Sequence, residues 1–399
     1  MSLDERLAFN LERLREQGLY RSLRPVRSLP GGRIEHQGQT CINLAGNDYL
    51  GLAANPELLK NFYHQRGEGN LLDHFGAGAT ASRLMTGNHP VNGELEEALA
   101  RLYGRPALVF NSGYHANIGI LPALAQKGDL ILADKLCHAS LIDGMRLARA
   151  RVIRYPHLDL HRLETILSEQ RHRYDRVFLV TESIFSMDGD EADLIQLVEL
   201  KERFDAVLYV DEAHAVGMRG QGGLGLAGEQ GVAGQIDLLV GTFGKAWAGQ
   251  GAFVVCNTVT REYLINTARS LIFTTGLPPV TLSWLLFVAK HIAALEQERT
   301  HVRNLAQTLR QKLREQGLET RGSSHIVPVL IGDDAATMQV AGRLQQKGFW
   351  VGAVRPPTVP KNTARLRLSL TASLTNKDIA PLPELIVNVM RECGCRAAG

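Results

Sequence analysis

From about residue 94 onward the chain alternates short apolar runs with helical patterns, and no other feature of the sequence constrains its fold as much. The runs "ALVFN", "LILAD", "RVIRY", "VFLVTES", "VLYVDEAH", "LLVGTFGK" and "AFVVC" read as strands. Most are near-continuously apolar rather than alternating, so both of their faces are expected to be covered. The fold class that follows is α/β, a mostly parallel sheet sandwiched by helices. Several runs end in polar or small residues: Asn111, Ser112 and Gly113; Asp134; Glu182 and Ser183; Asp211 and Glu212; Thr242. In open α/β sheets ligands sit outside the carboxyl ends of the strands. These positions, far apart in sequence, are therefore expected to converge in space.

Three segments follow from the change of pattern. Residues 1–50 hold a charged helix and a hairpin-like stretch, "PGGRIEHQGQTCINLAGNDYLGL", and residues 51–289 form the large α/β domain. Residues 290–399 turn to long amphipathic helices and three further strand-like runs, "SHIVPVLIG", "FWVGAVRPP" and "ARLRLSLTA", read as a smaller α+β domain against the N-terminal segment.

Charge removes some functions. Lys and Arg number 44 against 41 Asp and Glu, which leaves no basic excess for a nucleic-acid surface. The charged N-terminus does not resemble a signal peptide. The apolar stretch "PPVTLSWLLFVAKHIAAL" begins with prolines and contains Lys290, so it reads as a buried helix rather than a membrane span. A cytoplasmic chain without membrane or nucleic-acid partners is expected. The cysteines at 41, 137, 256, 393 and 395 fit no zinc spacing. No metal is expected, and His157 and His161 read as solvated helix residues.

Lys245, between Gly244 and Ala246, follows an apolar run. A phosphate loop requires Gly five positions before Gly244 and a hydroxyl after the lysine; Leu239 and Ala246 stand there instead. "GQGGLG" (220–225) lacks the strand before it that a dinucleotide fingerprint needs. "DEAH" (211–214) resembles the acidic strand end of a Mg²⁺-dependent nucleotide hydrolase, a distant alternative that lacks its phosphate loop. No G-x-S-x-G is present. A lysine between small neighbours, with Asp211 ending the preceding strand, suits a pyridoxal phosphate enzyme. The amine carries an aldehyde, and a buried carboxylate keeps the pyridine nitrogen protonated.

The motifs "NDYLGL", "FNSGYHAN", "CHASLIDG", "ESIFSMDGD", "DEAHAVG", "GTFGKA" and "FTTGLPP" stand in the order and spacing of the α-oxoamine synthases, and the resemblance spans essentially the whole chain. It implies the aminotransferase fold type I, pyridoxal 5'-phosphate as cofactor, and a homodimer with shared sites. It also implies roles residue by residue. Lys245 would carry the cofactor and act as base, Asp211 would pair with the ring nitrogen, and His138 would stack on the ring. Ser186 and His214 would bond near the phenolic oxygen. Gly113, Tyr114 and Thr242 would meet the phosphate, joined by Thr274 and Thr275 from the partner subunit. Arg367 would grip the amino acid carboxylate with help from Asn47, and Arg21 and Thr358 would touch the acyl substrate. Arg365 and Arg367 share one face of a strand, so only one need reach substrate. "RPPTVPKNTARLRLSLTA" (355–372) resembles the branch of the family that joins L-alanine to a pimeloyl thioester, on coenzyme A or a carrier protein, in biotin biosynthesis. Other branches condense glycine with acetyl or succinyl thioesters, or serine with long acyl chains.

Overall fold

The computed structural model describes residues 1–66 and 71–395. Thirteen strands are found among them: β1 (Arg27–Leu29), β2 (Arg33–His36), β3 (Gln39–Leu44), β4 (Ala107–Phe110), β5 (Leu130–Asp134), β6 (Arg151–Tyr155), β7 (Val177–Glu182), β8 (Val207–Asp211), β9 (Leu238–Thr242), β10 (Ala252–Val255), β11 (Ile326–Gly332), β12 (Phe349–Val354) and β13 (Ala364–Ser369). They divide between two compact units. One comprises Asn47–Ser186 and Asp190–Thr300; the other comprises Met1–Gly46, Met187–Gly189 and His301–Gly399.

The first unit holds a seven-stranded sheet in the order β4-β10-β9-β8-β7-β5-β6. Strands β5 to β9 pair in parallel, as near-continuous apolar runs require. β10 is antiparallel to both β4 and β9, and it brings Ala252 opposite Phe110 and Thr242. Each of β4, β5, β7, β9 and β10 is buried along its whole length. One face packs Leu108, Ile131, Phe178, Tyr209, Val240 and Val254 against Ile120, Leu121, Leu141 and Met145 of the helices Gly113–Leu124 and Ala139–Leu147. These two helices approach closely because Gly144 lacks a side chain: a Cβ there would lie 2.4 Å from the Asn117 carbonyl oxygen. The stretch read as a buried helix forms the helix Pro279–His291, started by two prolines and buried at Leu282, Leu285, Leu286, Phe287 and Val288.

The second unit holds a six-stranded sheet in the order β1-β2-β3-β12-β13-β11. The N-terminal and C-terminal residues share this sheet through the parallel pairing of β3 with β12. Asp188, in the short segment Met187–Gly189, is ion-paired with Arg365 on β13. Its neighbour Gly189 (φ 69°) sits against Ile326, where a Cβ would lie 2.5 Å from the carbonyl oxygen. Among the described residues no single helix is long and apolar enough to cross a membrane.

Candidate active site

The parallel strands of the first unit place their polar terminal residues along one edge of the sheet. Asp211 ends β8, is 6% exposed, and accepts from Asn117 Nδ2 at 2.9 Å and from its own turn, Ala213 N, at 3.0 Å. Both donors are neutral. Tyr209, two residues earlier and so on the same face of the strand, donates its hydroxyl to Asn117 Oδ1 at 2.5 Å. Asn117 also donates to Ser140 Oγ at 2.8 Å, and Ser140 bonds His138 Nδ1 at 2.8 Å. His138 caps the helix Ala139–Leu147.

The charges around this cluster are balanced by burial. Glu182, ending β7, accepts the His138 amide at 2.6 Å. Its pKa is pushed well above the usual carboxylate range, first by burial and then by the Asp211 charge. The pKa of His138 is lowered by burial; Asp211 pulls it up and the Lys245 ammonium pushes it down. The influence of Lys245 on both His138 and Glu182 places its charge near the strand ends. Lys245 itself is half-buried in the bend after β9, where its carbonyl accepts Ala248 N at 2.9 Å. Glu212 turns away from this edge to hold a loop. It accepts Ser183 Oγ at 2.6 Å and the amides of Leu226 and Ala227 at 3.1 and 2.7 Å, and burial lifts its pKa to about 7.

An anion cradle lies next to these groups. The helix Gly113–Leu124 opens at Gly113 and Tyr114, first-turn positions whose amides have no intrahelical acceptor, and Ser112 caps it. A Cβ on Gly113 would come within 3.8 Å of the Thr242 hydroxyl, so the missing side chain leaves space between the helix end and that hydroxyl. Thr242 Oγ1 also accepts Gly244 N at 3.3 Å. On the other side, His214 Nδ1 meets Tyr49 OH at 2.7 Å, and Tyr49 donates to Asn47 Oδ1 at 3.0 Å. Ser186 is half-buried in the turn after β7. Thr275 pairs with Ser82 and its carbonyl accepts Asn111 Nδ2 at 2.6 Å, while Thr274 stands beside it with Phe273, 70% exposed, next in line. The Tyr114 phenol donates to Asp143 at 2.5 Å. A buried carboxylate with neutral donors, a nearby amine, and a helix N-terminus with a hydroxyl form a donor set that fits pyridoxal 5'-phosphate.

Three expected substrate contacts, Arg21, Thr358 and Arg367, belong to the other unit. Arg367 on β13 is buried and donates to Ser369 Oγ at 2.7 Å. Arg365, on the same strand, is held by Asp188 and the Thr363 carbonyl. Arg21 and Thr358 are exposed. Arg21 lies close enough to Arg355 to depress its pKa, after the larger effect of burial.

One reading from sequence needs correction. His157 is not a solvated helix residue: it precedes the helix Leu160–Gln170, is 22% exposed, and bonds Asp134 at 2.9 Å and Asp190 at 2.5 Å. Sequence reasoning missed the two carboxylates that claim it, buried Asp134 and half-buried Asp190, because they belong to other elements. It also passed over Asn117, Ser140 and Tyr209. The same-face spacing of Tyr209 and Asp211 was a signal available for the last of these.

Residues 39–386 match the family model for aminotransferase class I and II. The 8-amino-7-oxononanoate synthase of Chlorobaculum parvum is 51% identical over 383 residues, 96% of this chain and 98% of that protein. A putative 8-amino-7-oxononanoate synthase of Haemophilus influenzae is 48% identical over 371 residues, covering 92% of this chain and 96% of that one. Among solved structures, a serine palmitoyltransferase from S. paucimobilis with bound PLP is similar with a TM-score of 0.89 at 28% identity, over 99% of this chain and 100% of that one. An 8-amino-7-oxononanoate synthase from Francisella tularensis is similar with a TM-score of 0.74 at 28% identity, over 88% and 98%.

Proposed function

The chain belongs to the class I and II aminotransferase family and is a pyridoxal phosphate enzyme, and on that premise we propose that it joins L-alanine to a pimeloyl thioester. The products are 8-amino-7-oxononanoate, CO₂ and the free thiol, a step of biotin biosynthesis in the cytoplasm. The relatives' names support the substrate pair. The observation that carries the chemistry is Asp211, a buried carboxylate at a strand end that accepts from two neutral donors, Asn117 Nδ2 and Ala213 N. Such a group is suited to hold a proton on a facing ring nitrogen.

Bound pyridoxal 5'-phosphate supplies a conjugated electron sink that stabilises negative charge at the α-carbon of an amino acid. Lys245 would hold the cofactor through its amine and would serve as the base for the α-proton. Gly113 and Tyr114 offer backbone amides, and Thr242 a hydroxyl, to the phosphate. His138 presents a ring face whose burial keeps it neutral. His214, oriented by Tyr49, and Ser186 bond near the phenolic oxygen. Arg367 and Asn47 bind the amino acid carboxylate, which orients the Cα–H bond to be broken. Arg21 and Thr358 meet the acyl chain. Thr274 and Thr275 complete the phosphate site of a partner subunit in a homodimer. Leu84, Met85 and Phe273, at 52%, 77% and 70% exposure and each within three residues of the paired Ser82 and Thr275, support such an interface, since exposed large apolar side chains mark association sites.

Borohydride treatment of the yellow protein, followed by peptide mapping, is expected to find pyridoxal on Lys245, and Lys245→Ala to lose turnover. Thiol release and product mass should then be measured for alanine, glycine and serine against acetyl, succinyl, pimeloyl and palmitoyl thioesters. Glycine with a short donor exceeding alanine with pimeloyl by tenfold in kcat/KM, about 1.4 kcal/mol, would refute the substrate pair and leave the cofactor chemistry standing.

A further inference from the structure

We propose that Tyr209, Asn117 and Ser140 are positioning residues that form a one-way hydrogen-bond relay, holding Asp211 as an acceptor and His138 as the neutral tautomer with its proton on Nε2. The inference rests on the reading that Asp211 and His138 face the cofactor. All three relay side chains are buried, at 0%, 1% and 1% exposure, and lie on three different elements.

The direction of the relay follows from the donors available at each link. Burial, and then the Asp211 charge, keep the Tyr209 phenol protonated, so its hydroxyl donates and the atom facing it at 2.5 Å must be an acceptor, Asn117 Oδ1. That orientation turns the Asn117 amide nitrogen toward Asp211 Oδ2 at 2.9 Å and Ser140 Oγ at 2.8 Å, and it uses both amide hydrogens. A flipped amide would set its carbonyl against a carboxylate and leave the phenol facing an NH₂ group. Ser140 Oγ, already accepting from Asn117, lies 2.8 Å from His138 Nδ1, and because the fixed backbone N–H of Ser140 is directed at the same nitrogen, the hydroxyl donates there too. The Ser140 backbone N–H points at the same nitrogen, at 3.3 Å. Two donors facing Nδ1 require it to be unprotonated, which leaves the ring proton on Nε2. The charged groups felt by this ring are Asp211, Lys245 and Asp143, and its backbone amide donates to Glu182, whose pKa is pushed up by burial. Adding a proton at Nδ1 would oppose both Ser140 donors. His138 is thus barred from accepting a proton there, and the proton movement at the α-carbon is left to Lys245.

The test is a two-bond proton–nitrogen correlation spectrum of the full-length holoenzyme labelled with ¹⁵N-histidine, with the His138 signals assigned by their loss in His138→Gln. The expected result is a pyridine-type Nδ1 and a pyrrole-type Nε2, unchanged across about pH 5 to 8, where an ordinary histidine changes charge. Ser140→Ala should mix the tautomers or let Nδ1 titrate, and lower kcat roughly tenfold with little change in KM. Ser140→Thr, which keeps the hydroxyl, should restore the wild-type spectrum. A pyrrole-type Nδ1 in the wild type, or a Ser140→Ala spectrum identical to wild type, overturns the relay. The spectrum needs no substrate. An intact signature with no condensation activity would therefore refute the functional reading alone, and a wrong tautomer with full activity would refute the relay alone.

Discussion

His157 offers a quantitative test of how this sheet edge is held together. Its ring bridges Asp134 at the end of β5 and Asp190, and rests edge-on against Phe185 at 4.5 Å. Burial alone would lower its pKa, but the hydrogen bonds and charges of the two carboxylates outweigh burial and lift it from 6.5 to about 9. At about 1.4 kcal/mol per unit, that gap corresponds to roughly 3 kcal/mol of stabilisation of the folded state. Because the folded-state pKa is raised, the stabilisation is present in full below the unfolded value of 6.5 and is lost as pH climbs through about 9. His157→Gln retains a similar volume but cannot carry the charge between the carboxylates. Urea unfolding of wild type and variant should therefore differ by roughly 3 kcal/mol at about pH 6, and the difference should close to under about 1 kcal/mol near pH 9.5. A difference that stays constant or widens as pH rises would refute the ion clamp.

Asp211→Asn should still bind the cofactor but lose about 10²-fold or more in kcat, because a neutral partner no longer keeps the ring nitrogen protonated; near-normal turnover would mean another carboxylate does so. Gly144→Ala should cost about 1–3 kcal/mol in chemical denaturation, since its Cβ would meet the Asn117 carbonyl oxygen at 2.4 Å and force apart the two helices that carry His138 and Asn117. Arg367→Lys should raise KM for alanine more than it lowers kcat, because a point charge replaces a two-pronged carboxylate grip; an unchanged KM would reassign the residue. Mixing Lys245→Ala protein with a Thr274→Ala, Thr275→Ala variant should recover some activity through hybrid dimers, and a monomer by light scattering would rule out shared sites.

The local grammar of the chain was enough to determine where the strands of the large sheet run and that most of them are buried on both faces. Continuous apolar runs such as "VFLVTE" leave no solvated face, and Asp211, Thr242 and Lys245 stand where such runs stop. Periodicity states that a face is buried but not what buries it. The insertion of β10 between β4 and β9 in antiparallel sense is therefore invisible in its own four residues. The same limit hid His157, whose neighbours in sequence suggest a solvated helix while its partners, Asp134 and Asp190, arrive from other elements. Asn117 reads as one more polar residue in a helix until the close approach permitted by Gly144 sets that helix beside Ser140, with Tyr209 and Asp211 rising from the sheet below. Identity and spacing nominated the residues expected to do the chemistry. Only packing between elements distant in sequence decided their protonation and orientation, because both depend on how far water is excluded and on which donor lies within hydrogen-bond reach.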